Sequence, residues 1–437
     1  MKVSKTSRAY FMCGERLGRS FSKWAEHCDF VHTEIVSDNL RTWEVPDDAS
    51  LVITFEHYGP RGVDVLRQCT RRGIPSLVLM DGILEYRNTW LRPTNVPGTI
   101  FQPALSDKVA CIGRSQSRIL ESWGNLGKCE VVGLPRLDAL LQRQPRSRST
   151  GEPWTVLILT AKMPGFTHDQ LEQTRQSLFD LKAWFEKHAS QGGIPICPLW
   201  RITAGLDEMI GVPNQLRDTT GDDLASALER VDAVITTPST AMLEGMLQGI
   251  PVALLDYHNC PHYVPAAWTI SAASHIGRVL PELIHPPEAK LLYQATILHD
   301  NLECHTPATQ RLTHLIEEML RIGRECRNRG KDIYFPDRIL KDPQHDHHLP
   351  EERFDLRKLY PEHDIFGNLD RTALQAEAGH ALMQVKSLEN ELAQLRARKE
   401  ELGQKLQLQI QSCENSLSFR LGRALTLPLR AWMEFVR

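Results

Sequence analysis

Residues 231–261 read VDAVITTPSTAMLEGMLQGIPVALLDYHNCP. An apolar run at 233–237 breaks at Pro238. A helix-compatible stretch follows, stops at Gly249 and Pro251, and gives way to a second apolar run at 252–256. Strand, tight loop, helix, Gly stop and strand make one unit of a parallel sheet, because parallel neighbours need a crossover between them. Ser239 or Thr240 is placed to cap the helix. A helix start at the carboxyl end of such a strand offers backbone N–H groups to a phosphate or diphosphate. The hydroxyls of Thr237, Ser239 and Thr240 add donors. Glu244, four residues past Thr240 and so on the same helix face, is placed to accept bonds from ribose hydroxyls. The bland alternative is an ordinary helix start with a dipole-compensating acid.

The same rhythm extends outward. Apolar runs at 154–160 and 194–199, with a long helix near 169–188, precede the block. Before them, runs at 10–13, 51–55, 76–80, 108–112 and 130–133 alternate with amphipathic segments. None of these runs alternates polar with apolar, as strands buried on both faces should not. A polar stretch at 142–153, rich in Arg, Ser, Pro and Gly, reads as a linker. The expectation is α/β: two Rossmann-like, doubly wound halves, an N-terminal acceptor half at 1–145 and a donor half at 151–328, facing across a cleft. An irregular connection at 329–375, a coiled coil at 376–413 and a basic amphipathic tail at 414–437 complete the plan.

At 437 residues, with 41% hydrophobic and 24% charged side chains, the chain has the balance of a globular protein with more than one core. A net charge of −3 gives no overall attraction for nucleic acid. The basic start lacks the apolar core of a secretory signal, and no stretch of about 18 apolar residues is present to span a bilayer. A cytoplasmic location is expected. Ten scattered cysteines without a CxxC pair predict reduced, mostly buried thiols.

The first half contributes LVLMDGILEYRNTW at 77–90, where an apolar strand runs into Asp81-Gly82. A carboxylate at the carboxyl edge of a parallel strand points into the crevice where ligands collect, so Asp81 is the preferred general base. An Asp-Gly turn without chemistry is the alternative. Glu85 and Arg87 are candidates for acceptor hydroxyls or phosphates. His57, at the end of VITFEHYGPRG, is the second candidate base or else polar surface. On the donor side, Lys162 follows the first strand and is either a phosphate cation or a solvated lysine. Asp256 closes the strand after the motif, flanking the sugar or capping its loop. His345, Asp346, His347 and His348 lack companions at metal-ligand spacing and read as an exposed loop.

The 231–261 block resembles the donor-site segment of GT-B glycosyltransferases of the bacterial cell-surface polysaccharide type. It is more distantly similar to CDP-glycerol glycerophosphotransferases and UDP-N-acetylglucosamine 2-epimerases. That resemblance implies that Thr237, Ser239 and Thr240 bind donor phosphates and Glu244 the ribose, with the nucleotide-sugar as substrate, no cofactor and no metal. Residues 107–141, DKVACIGRSQSRILESWGNLGKCEVVGLPRLDALL, are similar to the end of the N-terminal domain of these enzymes. There Gly133 and Pro135 shape a turn, and Arg136 and Asp138 read as structural. The chain departs from the pattern at 195–201, PICPLWR, where related transferases often carry a His-Pro pair after a basic residue. Arg201 is the candidate phosphate cation there.

Past the connection, Val385, Leu388, Leu392, Leu395, Leu402 and Leu406 recur at steps of three and four, with Lys399, Gln409 and Cys413 at the weaker seam positions. Self-association or a partner enzyme is expected, and Lys399 disfavours a very tight homodimer. The tail, SLSFRLGRALTLPLRAWMEFVR, mixes large apolar residues with arginines and suits an anionic membrane surface at the inner face of the plasma membrane, or a docked helix. It is similar to endings of bacterial polysaccharide glycosyltransferases that use lipid-linked acceptors.

These readings converge on a metal-independent glycosyltransferase. It would move a sugar from a nucleotide-sugar donor to a bacterial surface glycan or lipid-linked acceptor such as lipopolysaccharide, O-antigen or capsule. A CDP-glycerol-type glycerophosphotransferase uses a similar cleft. A 2-epimerase-type isomerase requires paired acid/base carboxylates and histidines, which the linear sequence does not make evident. A non-catalytic scaffold in a polysaccharide-assembly complex is the non-enzyme alternative.

Overall fold

The computed structural model describes residues 8–15, 28–36, 42–55, 59–92, 101–141, 151–188, 190–191, 194–218, 224–341 and 371–435. By packing, the chain divides into two compact units, Met1–Phe354 and Asp355–Arg437.

The first unit holds two six-stranded sheets. Sheet one comprises β1 (Arg8–Gly14), β2 (Val31–Val36), β3 (Ala49–Thr54), β4 (Ser76–Leu79), β5 (Lys108–Cys111) and β6 (Cys129–Val131), all parallel, in the order β2-β1-β3-β4-β5-β6. Sheet two comprises β7 (Trp154–Leu159), β8 (Ser190–Gln191), β9 (Ile194–Arg201), β10 (Ala233–Thr236), β11 (Val252–Leu255) and β12 (Trp268–Ile270), in the order β12-β11-β10-β7-β9-β8. Only the edge strand β8 is antiparallel. From β7 the chain passes to β9 on one side and to β10 on the other. The strand order therefore reverses between the carboxyl ends of β7 and β10, the place where open α/β sheets collect ligands.

The expected α/β pair of Rossmann-like halves is present. The strands that the sequence reading did not anticipate are β2, β8 and β12. All three lie at sheet edges, where burial is one-sided or the strand is very short: β2 carries polar His32, Thr33 and Glu34, and β12 exposes Thr269 between buried Trp268 and Ile270. An edge need not read as a continuous apolar run.

Helices cover the sheets: α1 (Pro60–Arg72), α2 (Arg114–Leu120), α3 (His168–Lys187), α4 (Leu206–Ile210), α5 (Gln215–Asp218), α6 (Leu224–Leu228), α7 (Ala241–Leu247), α8 (Ala273–Ile284), α9 (Glu288–Asn301) and α10 (Ala308–Asn328). One apolar cluster spans both halves, joining Val109, Ile112 and Leu120 to Leu159, Val234, Leu243 and Leu298. A second core lies between sheet two and α3 and α8, through Leu178, Leu181, Val279 and Leu283.

Helix α10 falls within the expected donor half, 151–328, but packs on sheet one, where Leu312, Leu315, Ile316 and Met319 meet Phe11, Leu51, Ile53 and Leu77. The crossover that returns it is fixed through its backbone amides. Glu303 N donates to Ile112 O at 2.8 Å. Gly133, at φ +98°, has no room for a side chain, since a Cβ there would lie 2.8 Å from Glu303 O. The Asp138 carboxylate accepts from the amides of Ala308 and Thr309, each at 2.8 Å, and so caps a helix 170 residues downstream. Asp138 is structural, as expected, but the helix start it serves is that of α10 and not its own.

Residues 331–341 form neither helix nor strand, yet they are fastened to sheet one. Lys108 Nζ, fully buried, donates to Glu130 Oε1 at 2.9 Å and to Pro336 O at 2.6 Å. Glu130 in turn accepts from the amides of Ile339 and Leu340 at 2.8 and 3.0 Å. A buried ion pair is tolerable here because its remaining bonding capacity is met. His345, Asp346, His347 and His348 lie outside the described residues, as does His57.

In the second unit, α11 (Arg371–Asn415) and α12 (Leu417–Phe435) are joined at Ser416, whose Oγ accepts from Phe419 N at 3.3 Å. Among the described residues no helix is long and apolar enough to cross a membrane. All ten cysteines are free.

Candidate active site

Two strand ends meet between the halves. β4 runs through Met80 to Asp81, which is exposed, and Gly82, which is buried. Gln116 of α2 locks this turn, with Oε1 accepting from Ile112 N and Nε2 donating to Gly82 O, both at 2.9 Å. Ile83 N then donates across to Thr240 Oγ1 at 3.2 Å. A Cβ on Gly82 would sit 2.2 Å from that same oxygen, so glycine is required by the close approach of the two turns. This removes Thr240 from the two candidate caps, Ser239 and Thr240. It occupies the N-cap position of α7 in a helical conformation without a side-chain cap bond, because its hydroxyl is turned to the opposite half.

The edge of sheet two is knitted by hydroxyls. Ala161 N donates to Thr237 Oγ1 at 2.7 Å, Thr203 Oγ1 to Ala161 O at 2.6 Å, and Thr203 N to Thr160 Oγ1 at 2.8 Å. Thr236 Oγ1 lies 3.3 Å from Ser239 Oγ. Thr237 and Thr240 each accept an amide proton, so each keeps its own hydroxyl proton to donate. Lys162 is exposed directly after Ala161, and Arg201 ends β9 on the same edge, partly buried. Helix α7 is only seven residues long, and the amides of Met242, Leu243 and Glu244 already donate to the carbonyls of Ser239 and Thr240. The polar groups at this edge are therefore hydroxyls and cations more than free helix-start amides.

Glu244 lies on α7 as the spacing requires, but it is buried and paired with Arg136 Nη1 at 2.6 Å. Arg136 belongs to the turn Pro135–Leu140 of the first half. Beside the pair, Gln248 Nε2 donates to Leu140 O at 3.1 Å. The carboxylate is thus oriented from the opposite half.

A third contact gathers groups that the sequence reading placed separately or missed. Arg87 is 2% exposed; its Nε donates to Glu85 Oε1 at 2.7 Å and its Nη1 reaches Pro164 O in the second half at 3.3 Å. Glu85 and Arg87 are therefore turned on each other, Arg87 buried and Glu85 largely so. Asp256, buried at the end of β11, lies 3.2 Å from His262 Nε2 and accepts from His258 N at 3.1 Å. His258 Nε2 is 3.3 Å from Thr174 Oγ1.

Burial pushes the Glu85 carboxyl above its usual range, and the Arg87 charge offsets only part of that. Burial would also raise Asp256, but the hydrogen bond and charge of His262, with Arg87 behind them, hold it below its ordinary value. His258 is driven down to about 4 by burial and by Arg87. At neutral pH it is a neutral imidazole beside an ionised Asp256. The signal for His258 and His262 was present as DYHNCPHY at 256–263, two histidines just past a strand-end carboxylate. At the rim, Trp90 Nε1 donates to Tyr263 OH at 2.7 Å, and Tyr86 and Trp123 pack around them.

The side chains of His299, Cys304 and His305 also come together, with Cys304 Sγ 3.5 Å from His299 Nδ1. The two imidazoles are stacked, 4.6 Å apart and 19° from parallel. Rings so arranged do not aim in-plane lone pairs at one point, so this cluster reads as packing of the crossover.

No family model and no curated protein matches this sequence. Solved structures match in shape. A co-structure of S. aureus MnaA with UDP aligns over 72% of this chain and 97% of that one, at 11% identity and a TM-score of 0.51. A variant of the wall teichoic acid polymerase TagF covers 74% and 91% at 11% identity and 0.48. A putative UDP-N-acetylglucosamine 2-epimerase from Listeria monocytogenes covers 76% and 99% at 10% identity and 0.48. At these identities the likeness is one of fold: the chain has the GT-B-like pairing of two α/β halves around a cleft.

Proposed function

We propose that the protein is a glycosyltransferase that moves a sugar from a nucleotide-sugar to a bacterial surface glycan or lipid-linked acceptor. The observation that carries this reading is the meeting of Asp81-Gly82-Ile83 with Thr240, which sets an exposed carboxylate beside a hydroxyl-rich turn. In this reading Asp81 takes the proton of the acceptor hydroxyl, and the acceptor oxygen bonds to the anomeric carbon. The bond from that carbon to the phosphate oxygen breaks, and the nucleotide leaves with the electron pair. Thr237, Ser239, Thr240, Lys162 and Arg201 meet the growing phosphate charge, Glu244 receives the ribose, and Trp90 and Tyr263 offer aromatic surface to the acceptor. Turnover is expected to survive a chelator. The test is a panel of nucleotide-sugars and CDP-glycerol, scored by thermal shift and nucleotide release. Protection and turnover with one nucleotide-sugar support the reading, CDP-glycerol turnover replaces it with glycerophosphate transfer, and protection by none favours a scaffold.

The cluster of Glu85, Asp256, His258 and His262 favours a second reading. Inverting a carbon centre needs an acid and a base in one enclosed site, and buried carboxylates beside histidines supply both. An isomerase of nucleotide-sugars would convert its substrate without an acceptor and incorporate solvent deuterium, which nuclear magnetic resonance distinguishes from transfer.

In the second unit, exposed Leu417, Phe419, Leu421 and Trp432 lie in the same helix as Arg420 and Arg423, a composition suited to an anionic bilayer surface. Cosedimentation with phosphatidylglycerol vesicles, set against phosphatidylcholine vesicles, tests a peripheral membrane location.

A further inference from the structure

We infer that α11 pairs in parallel and in register with α11 of a second copy of this chain. In heptad terms, Val385, Leu392, Lys399, Leu406 and Cys413 take position a, and Leu388, Leu395, Leu402 and Gln409 take position d. Leu388, Leu392, Leu395, Leu402 and Leu406 are each 50–65% exposed, so the stripe is uncovered within its own unit. From Val385 to Cys413 it runs about 42 Å along the helix.

Charge decides the occupant and its direction. In a parallel, in-register pair, Glu391 at g faces Arg396 at e of the other copy, and symmetry repeats the contact. The antiparallel alignment that layers Val385 on Gln409 sets Arg396 against its own copy and Arg398 against its own copy, beside both Lys399 side chains, and the one that layers Leu388 on Cys413 sets Arg398 against Lys405. Like charges oppose both arrangements. Lys399 fixes the register. In register, the two lysines share one layer and extend their ammonium groups to water, whereas a slip of one heptad places a lysine in each of two otherwise apolar layers.

Cys413 reports the geometry. It is exposed, and in the inferred pair it meets its own copy in one a layer. Antiparallel pairing along the seam separates the two Cys413 side chains by more than about 35 Å. The full chain at micromolar concentration, treated with copper-phenanthroline, is expected to be a dimer by light scattering. Two Cys413 thiols then give up two protons and two electrons to the oxidant and form one disulfide, lost in Cys413→Ser. Glu391→Lys and Arg396→Glu should each weaken the dimer by about threefold or more, and the double variant should restore it, because the pair is merely exchanged. Leu395→Glu should give a monomer whose α/β unit melts unchanged. A monomeric wild type overturns the inference. So does a dimer without the Cys413 crosslink, or charge variants whose effects do not compensate.

Discussion

The crossover and the cleft both join the two halves, but with different materials. At the crossover a main-chain bond, Glu303 N to Ile112 O, and the close contact of Gly133 with Glu303 O stand beside the Asp138 carboxylate, which accepts from the amides of Ala308 and Thr309. At the cleft no bond among the described residues joins main chain to main chain: Ile83 N donates to Thr240 Oγ1, Arg136 to Glu244, and Arg87 to Pro164 O. Backbone bonds in a packed crossover persist as long as the fold does, whereas side-chain bonds at the rim of a crevice can be exchanged for bonds to a ligand. The difference teaches where motion and chemistry belong. The crossover holds the halves together, and on the proposed reading the cleft is where a substrate replaces protein contacts.

The sharpest way to break that contrast is Asp81→Asn. On the transferase reading, turnover falls by roughly 10²- to 10⁴-fold while the melting temperature and donor affinity stay close to wild type. Unchanged turnover removes Asp81 from the mechanism. Next in size is Glu244→Ala, which strands Arg136, lowers stability by roughly 1–3 kcal/mol and weakens donor binding. The double variant with Arg136→Ala should recover stability but not donor affinity. Recovery of both would make the pair purely structural.

On the crossover side, Asp138→Ala is expected to cost about 1–2 kcal/mol in denaturant titration, because α10 loses its cap. Donor affinity of the folded protein should not change, and a loss there would blur the division of labour. Smaller still is Thr240→Val, expected to cost about 1 kcal/mol as Ile83 N loses its acceptor, with Thr240→Ser close to wild type.

A further effect comes with pH. His258 titrates near 4 when folded and near its ordinary 6.5 when unfolded, so between those values the unfolded chain binds more protons. Stability from this group is fully present above about pH 6.5 and falls as pH drops toward 4. Replacing His258 with Gln should flatten that limb of the stability profile; an unaltered limb would place the titration elsewhere.

How much was legible varied with the range of the interaction. Apolar runs located nine of the strands, because burial on both faces leaves a continuous signature; the edge strands β2, β8 and β12 carry no such signature. The strand-end positions of Asp81, Thr237, Ser239 and Asp256 followed from local pattern alone. The partners did not. Thr240, with Ser239, is a candidate cap because capping is a local event, yet its hydroxyl bonds Ile83, 157 residues away. Arg87 and Glu85 read as open polar groups, since burial by a distant loop leaves no mark on their neighbours in sequence.

By itself, then, the sequence determined periodicity: which segments are buried strands, where they end, which turn is rich in hydroxyls, and that a heptad seam follows. Such features repeat every two to seven residues and depend on each segment meeting water on one side and a core on the other. Only the tertiary structure decided that α10 returns to sheet one, that Asp138 caps it, and that Asp256 stands between His258 and His262 beside the Arg87 that reaches across the cleft. Those contacts depend on the close approach of segments far apart in the chain, and no local pattern encodes a distance of that kind.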